Sequence, residues 1–87
     1  MNIKTLLNRR KINALEKERR TTTRVLNTEY RRLGNLRHHY DCVLSAGGYS
    51  TYYVDCLCDD IARANDSIHA LKETIANLDS RIKALRG

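Results

Sequence analysis

The chain has 87 residues, of which 41% are hydrophobic and 30% charged, and its formal net charge is +6. This length limits it to one domain with a thin core, and its periodic apolar residues exclude a disordered chain. The opening stretch MNIKTLLNRRK lacks the apolar segment of a signal peptide, and no run approaches the roughly 20 apolar residues of a membrane span. We therefore expect a cytoplasmic protein with reduced thiols and no membrane span.

The first half of the chain is predicted to form one long helix over about residues 2–45. Proline, which would interrupt a helix, is absent from the sequence. Apolar residues recur at alternating spacings of three and four, as in a coiled-coil seam, at Ile12, Leu15, Leu26, Leu33, Leu36, Tyr40 and Val43. The same frame places three polar residues in the seam: Arg19, Thr22 and Glu29.

A turn is predicted over about residues 46–50, in the stretch SAGGYS. Gly47 or Gly48 can adopt the left-handed backbone that ends a helix, and Ser50 or Thr51 can cap the next one. A second helix is predicted over about residues 51–86, and its tyrosine-rich start is expected to pack at the tip. Its seam is unbroken, with Val54, Leu57, Ile61, Ala64, Ile68, Leu71, Ile75, Leu78, Ile82 and Leu85.

Folding the chain at Gly48 brings the two seams into register. Residues that face each other across an antiparallel hairpin have a constant index sum, and Val43 with Val54, Leu33 with Ala64 and Ile12 with Leu85 all sum to 97. A short turn between long helices also favours antiparallel neighbours. The sequence therefore predicts a single all-α domain over residues 1–87, an antiparallel two-helix coiled-coil hairpin. Its residues 1–8 would project beyond the end of the second helix.

The polar residues in the first seam predict a binding surface at the middle of the hairpin. They face apolar residues of helix 2, which a lone hairpin would leave poorly covered, and burying an unpartnered charge against leucine is costly. An alternative is that Arg19 extends outward to solvent. The expected partner is a second copy of the chain, completing a helical bundle, or a helix of another protein. The candidate residues are Arg19, Thr22, Val25, Glu29, Tyr30, Ile68, Ile75 and Leu78.

Charge is divided unevenly between the two halves. Residues 1–40 hold 11 Lys/Arg and 3 Asp/Glu, whereas residues 41–87 hold 5 and 7. On helix 1, cations recur at every seventh position along the outer face, which gives a plausible phosphate-contacting surface. An alternative is an ordinary solvated face of a coiled coil. We name this surface the basic ridge and define it by Arg10, Lys17, Arg20, Arg24, Arg31 and Arg37.

All three cysteines and two histidines lie close to the predicted bend. His39, Cys42, Cys56 and Asp60 fall on one flank and are ligand types that zinc accepts. However, Cys42 and Cys56 occupy outward positions, and the spacing matches no zinc template. The cysteines are therefore interpreted as small hydrophobic residues, with an intermolecular disulfide as a further alternative. We expect no metal and no cofactor.

Two stretches resemble segments of known families. AGGYSTYYVDCLCDDIARANDSIHALKETI, residues 46–75, is similar to the start of the second helix in flagellar and type III export stalk proteins, which implies a helical hairpin. KERRTTTRVLNTEYRRL, residues 17–33, resembles the basic region and first helix of basic helix-loop-helix factors, which implies DNA binding. The spacing from Glu18 to Tyr30 differs from that family by one residue, and the proline-containing loop is missing.

The sequence contains no arrangement of nucleophile and base, no paired catalytic carboxylates and no phosphate-binding glycine loop, so we expect no enzyme and no small-molecule substrate. The leading functional expectation is a small coiled-coil binding protein, acting on a protein partner as adaptor, assembly factor or inhibitor. A basic nucleic-acid-binding helical dimer that uses the basic ridge is the alternative. A proline-free basic hairpin of this size also suits a phage or other mobile element.

Overall fold

A computed structural model describes residues 3–87, which form two α-helices joined by a four-residue turn. Helix α1 spans Ile3–Ala46 and helix α2 spans Thr51–Arg86. The predicted start of helix 1 at about residue 2 lies outside the described residues. The helices run antiparallel along a rod of about 69 × 15 × 14 Å. The predicted all-α antiparallel hairpin is confirmed; whether it dimerises stays a prediction.

The turn follows from two glycines and one serine. Gly47 and Gly48 both have positive φ angles, 70° and 79°, which a residue with a Cβ adopts only at a cost. The Gly47 N–H donates to the carbonyl of Val43 and closes α1. Ser50 caps α2, because its Oγ accepts a hydrogen bond of 3.2 Å from the Tyr53 N–H. Each helix end therefore has a local chemical cause.

The core lies along the two predicted seams. Every seam residue from Ile12 to Leu85 is buried or half-buried. One apolar cluster near the open end joins Leu15, Leu78 and Ile82, with Ile12 and Leu85 packed against it. A second cluster joins Leu33, Ala64 and Ile68, with Leu26, Leu36 and Ile61. Burying each Leu or Ile stabilises the fold by about 1.5–3 kcal/mol, so the seams supply most of the stability.

At the open end, α1 continues past the end of α2. Ile12 and Leu85 form the last packed layer, and the residues that precede Ile12 include the exposed Ile3, Leu6 and Leu7. The seam positions in this projection are polar, Thr5 and Asn8.

None of the helices formed by residues 3–87 is both long and apolar enough to traverse a lipid bilayer.

Candidate binding surfaces

The middle of the hairpin is better covered than the sequence predicts. Ile68 is 6% exposed and Leu78 is 2% exposed, while Ile75 is half-buried. The expectation that a lone hairpin leaves these residues poorly covered is therefore wrong for Ile68 and Leu78. They already pack inside the hairpin and present little surface to a partner.

Arg19 explains part of that coverage. Its guanidinium leaves the seam and forms an ion pair with Asp79 on α2, with Nε 2.5 Å from Oδ1. This ion pair raises the pKa of Arg19, first through the hydrogen bond and then through the opposite charge. Arg19 as a whole residue is half-buried, since a long side chain can cover apolar surface while its charged group stays in solvent. The outward alternative for Arg19 is therefore the one observed, and it needs no external partner.

Thr22 and Glu29 behave differently from each other. The Thr22 hydroxyl donates to the carbonyl of Glu18 at 2.8 Å, so its polar group is satisfied within α1. Glu29 keeps one carboxylate oxygen buried without a hydrogen bond, and the nearest cation, Arg32, lies 3.7 Å away. Glu29 is therefore the single seam residue whose polarity the hairpin leaves unsatisfied within residues 3–87.

The remaining two candidates for partner binding lie on opposite sides of the rod. Tyr30 is 42% exposed, and Lys72 of α2 lies over its ring, 5.4 Å from the centroid. Val25 is 46% exposed and falls on the other flank, since it precedes a seam position whereas Tyr30 follows one. The structure therefore does not unite the eight candidates in one surface, and their role in binding stays a prediction.

The basic ridge lies on the solvent side of α1. All six of its residues are exposed, and none forms an ion pair within residues 3–87. The four cations that recur every seven residues, Arg10 to Arg31, are separated by about 10 Å along the axis. Their charges are therefore available to an anionic ligand.

The candidate metal ligands are not brought together. Within the described part of the chain, no three His, Cys, Asp or Glu side chains lie close enough to hold a metal ion. His39 contacts the Tyr53 hydroxyl at 2.7 Å, and Asp60 pairs with Arg63 at 3.9 Å. Cys42 lies 3.6 Å from His38. His39, Cys42 and Asp60 each have a different neighbour, so the structure gives no support to a zinc site.

An exposed aromatic cluster occupies the bend, and sequence reasoning missed it. The packing expected for the tyrosines holds for Tyr49 and Tyr53, whose rings stack with 5.3 Å between centroids, and Tyr53 also meets the His39 ring edge-on. Tyr52 is 79% exposed and Tyr49 is 51% exposed. We name this surface the aromatic tip and define it by Leu44, Tyr49, Tyr52 and Tyr53.

Charge varies along the length of the rod and not only between its two helices. Residues 38–62, which comprise the bend and the adjoining helix ends, contain four aspartates and no lysine or arginine. At the other end, residues 3–20 and 80–87 contain 10 Lys/Arg and 2 Glu, because the fold places the C-terminus of α2 beside the start of α1. We name these segments the basic end. The gap without Lys or Arg is visible in the sequence, but the basic end forms only in the hairpin.

Comparisons of the chain with protein-family models, with curated proteins and with solved structures found no match. The resemblances to export stalk proteins and to basic helix-loop-helix factors gain no support from them.

Proposed function

We propose that the chain is a small non-enzymatic helical binding protein, which engages another protein as an adaptor, assembly factor or inhibitor. The observation that supports this proposal is the aromatic tip. Tyr49 and Tyr53 stack on each other at one end of the rod, and Leu44 and Tyr52 are also exposed at that end. Tyrosines of this kind are enriched among the residues that dominate binding energy at protein interfaces.

The surroundings of the tip indicate the chemistry of its partner. Asp41, Asp55 and Asp59 are exposed near it and form no ion pair within the described residues. Carboxylates beside tyrosine rings favour a segment that bears lysine or arginine, through ion pairs and cation–π contacts. The proposed partner is therefore a protein with a basic, partly apolar segment.

A binding role also agrees with the interior of the hairpin. Every fully buried residue in the described chain is apolar, and the one carboxylate with a buried oxygen, Glu29, faces the apolar seam and no cavity that could hold a substrate. The grooves between the helices are shallow and open along the rod. This arrangement favours recognition along a surface over chemistry in a pocket.

The test compares capture by the wild-type chain and by a tip variant, Leu44→Ser, Tyr49→Ser and Tyr52→Ser. A matched control, Ile3→Ser, Leu7→Ser and Val25→Ser, removes three exposed apolar side chains outside the tip. Proteins from the source cell are identified by mass spectrometry, with and without nuclease. We expect a defined partner that the control captures and the tip variant loses. Equal capture by the tip variant would contradict the proposal.

Nucleic-acid binding by the basic ridge is the second candidate function. The specific observation in its favour is that six exposed cations on one helix are not neutralised by neighbouring carboxylates. The aspartates near the bend would repel a polyanion, so a nucleic acid would contact α1 and the basic end. Loss of the captured partner on nuclease treatment would favour this candidate over the first.

A further inference from the structure

One long side of the hairpin combines exposed apolar residues with opposite charges at its two ends. The contacts of Tyr30 with Lys72 and of Glu16 with Arg86 show which residues share this side. Helical geometry places Leu6 and Leu44 on it as well. We name this side the Tyr30 flank and define it by these residues together with Arg9, Asp41, Asp55, Cys58 and Lys83.

The apolar residues of the Tyr30 flank are distributed over its whole length. Leu6 lies at the basic end and is 42% exposed, Tyr30 lies in the middle, and Leu44 lies at the bend and is 54% exposed. A flank with apolar contacts at both ends and in the middle suits a partner of the same length. A second copy of this chain has that length.

The charges of the Tyr30 flank are complementary between its ends. Arg9 and Lys83 lie at the basic end, and Asp41 and Asp55 lie near the bend. None of the four forms an ion pair within residues 3–87, and all four are exposed. A parallel pair of rods would bring two basic ends together, whereas an antiparallel pair places each basic end beside an acidic bend.

We propose that two copies of the chain pair antiparallel through their Tyr30 flanks. A two-fold axis across the rods lays α1 of one copy along α1 of the other. In one register, Asp41 meets Arg9 and Leu44 meets Leu6, since both pairs have residue numbers that sum to 50. The same register brings Cys58 near position 86 of the other copy. Two-fold symmetry makes each of these contacts twice.

This pairing goes beyond the proposed function, which does not require it. Tyr49 and Tyr52 of the two copies then project from opposite ends of the dimer, so that one particle presents two aromatic tips. A dimer of this kind can join two copies of a partner. It also leaves the outward cations of the basic ridge, such as Arg24 and Arg31, accessible.

The test of the charge contacts uses sedimentation equilibrium of the purified chain at about 50 mM salt, where surface ion pairs are weakly screened. One variant, Arg9→Glu with Lys83→Glu, reverses the charge of the Tyr30 flank at the basic end. Another, Asp41→Lys with Asp55→Lys, reverses its charge near the bend. Two Asp41–Arg9 pairs are replaced by like-charge contacts in each dimer, so we expect dimerisation at least about 10-fold weaker in either variant. The chain with all four changes should dimerise again, because its ends are once more complementary.

Circular dichroism should show each variant to be folded, since the four positions are exposed and unpaired within residues 3–87. A wild-type chain that stays monomeric, or reversed variants that dimerise as well as wild type, would overturn the proposal. Failure of the four-change chain to regain dimerisation would overturn it too.

Orientation is tested by mild oxidation of a chain with Cys42→Ser, Cys56→Ser and Arg86→Cys, which retains Cys58. Within one chain, positions 58 and 86 are about 42 Å apart along α2, so they cannot form an intrachain disulfide. The antiparallel dimer predicts a disulfide between position 58 and position 86 of two chains. A link between two Cys58 residues would mean a parallel pair, and a ladder of larger species would mean an open head-to-tail chain. Either result overturns the proposal, whereas capture through Tyr49 and Tyr52, which lie outside the pairing surface, is unaffected by both.

Discussion

Replacing Glu29 with leucine should stabilise the hairpin. Glu29 occupies a seam position in α1 that faces the apolar cluster containing Ile68, and one of its carboxylate oxygens is buried without a hydrogen bond. Arg32 is 3.7 Å from this oxygen and about half exposed, so it compensates for the burial only weakly. The wild-type chain therefore keeps a polar group in its core at a cost.

The magnitude follows from two contributions. An unsatisfied buried acceptor costs about 1–3 kcal/mol, and that cost is removed in Glu29→Leu. The leucine side chain also gains contact with the apolar cluster, although part of the site stays open to solvent, so the burial gain is at the low end of about 1.5–3 kcal/mol. Imperfect packing and residual denatured-state structure reduce the sum. We expect the free energy of unfolding to rise by about 1–3 kcal/mol.

Urea denaturation followed by circular dichroism measures this change. The midpoint should rise while the slope m stays constant, which separates a stability change from altered compactness. Glu18→Leu is the matched control, since Glu18 is exposed and occupies no seam position, and it should change stability by no more than about 0.5 kcal/mol. A Glu29→Leu chain that is less stable than wild type would refute the reasoning, as would an equal gain in the control.

Three further predictions concern the cysteines, the basic ridge and Tyr40. When alanine replaces Cys42, Cys56 and Cys58, the free energy of unfolding should fall by no more than a few kcal/mol. The purified wild-type chain should contain no stoichiometric zinc, and loss of helix on chelation would contradict this. If the basic ridge binds duplex DNA, glutamine substitution of Arg10, Lys17, Arg24 and Arg31 should flatten the slope of log K against log salt by roughly three to four units. If the wild-type chain does not bind DNA near 50 mM salt, that candidate function is removed. The pKa of Tyr40 is raised above its ordinary 10.0, first because a negative charge on Cys58 opposes the phenolate. Because deprotonation of Tyr40 is disfavoured in the folded chain, the contribution of this group to folding stability is present below pH 10 and lost at higher pH. Ultraviolet titration of the wild-type chain and of Tyr40→Phe gives the midpoint of Tyr40 by difference, and Cys58→Ala should lower that midpoint.

The parts of the fold that the sequence predicts are those with short-range causes. Alternating spacings of three and four define one stripe on each helix, and the two stripes can be buried only against each other. Gly47, Gly48 and Ser50 determine the bend through backbone conformation and capping, which depend on a few neighbouring residues. For these reasons the seam and the turn could be predicted without coordinates.

The binding surfaces depend on contacts between distant residues, and the sequence predicts them less well. The seam pattern marks Arg19 as a defect, but its ion pair with Asp79 depends on where a long side chain reaches across the partner helix. The basic end combines Arg9 with Arg86, residues that are far apart in the chain and line one groove only after folding. The exposure of Tyr52 arises because nothing in the described chain covers the bend of a two-helix rod.

The register of the two helices is the central claim, since the aromatic tip, the basic end and the Tyr30 flank all follow from it. Its most direct measurement is oxidation of a chain that carries Ile12→Cys and Leu85→Cys, with the three native cysteines replaced by serine. Ile12 and Leu85 pack against the same cluster, so the account predicts a disulfide within one chain, formed at low protein concentration. Disulfides that form only between chains would show a continuous or exchanged coiled coil and would contradict the hairpin.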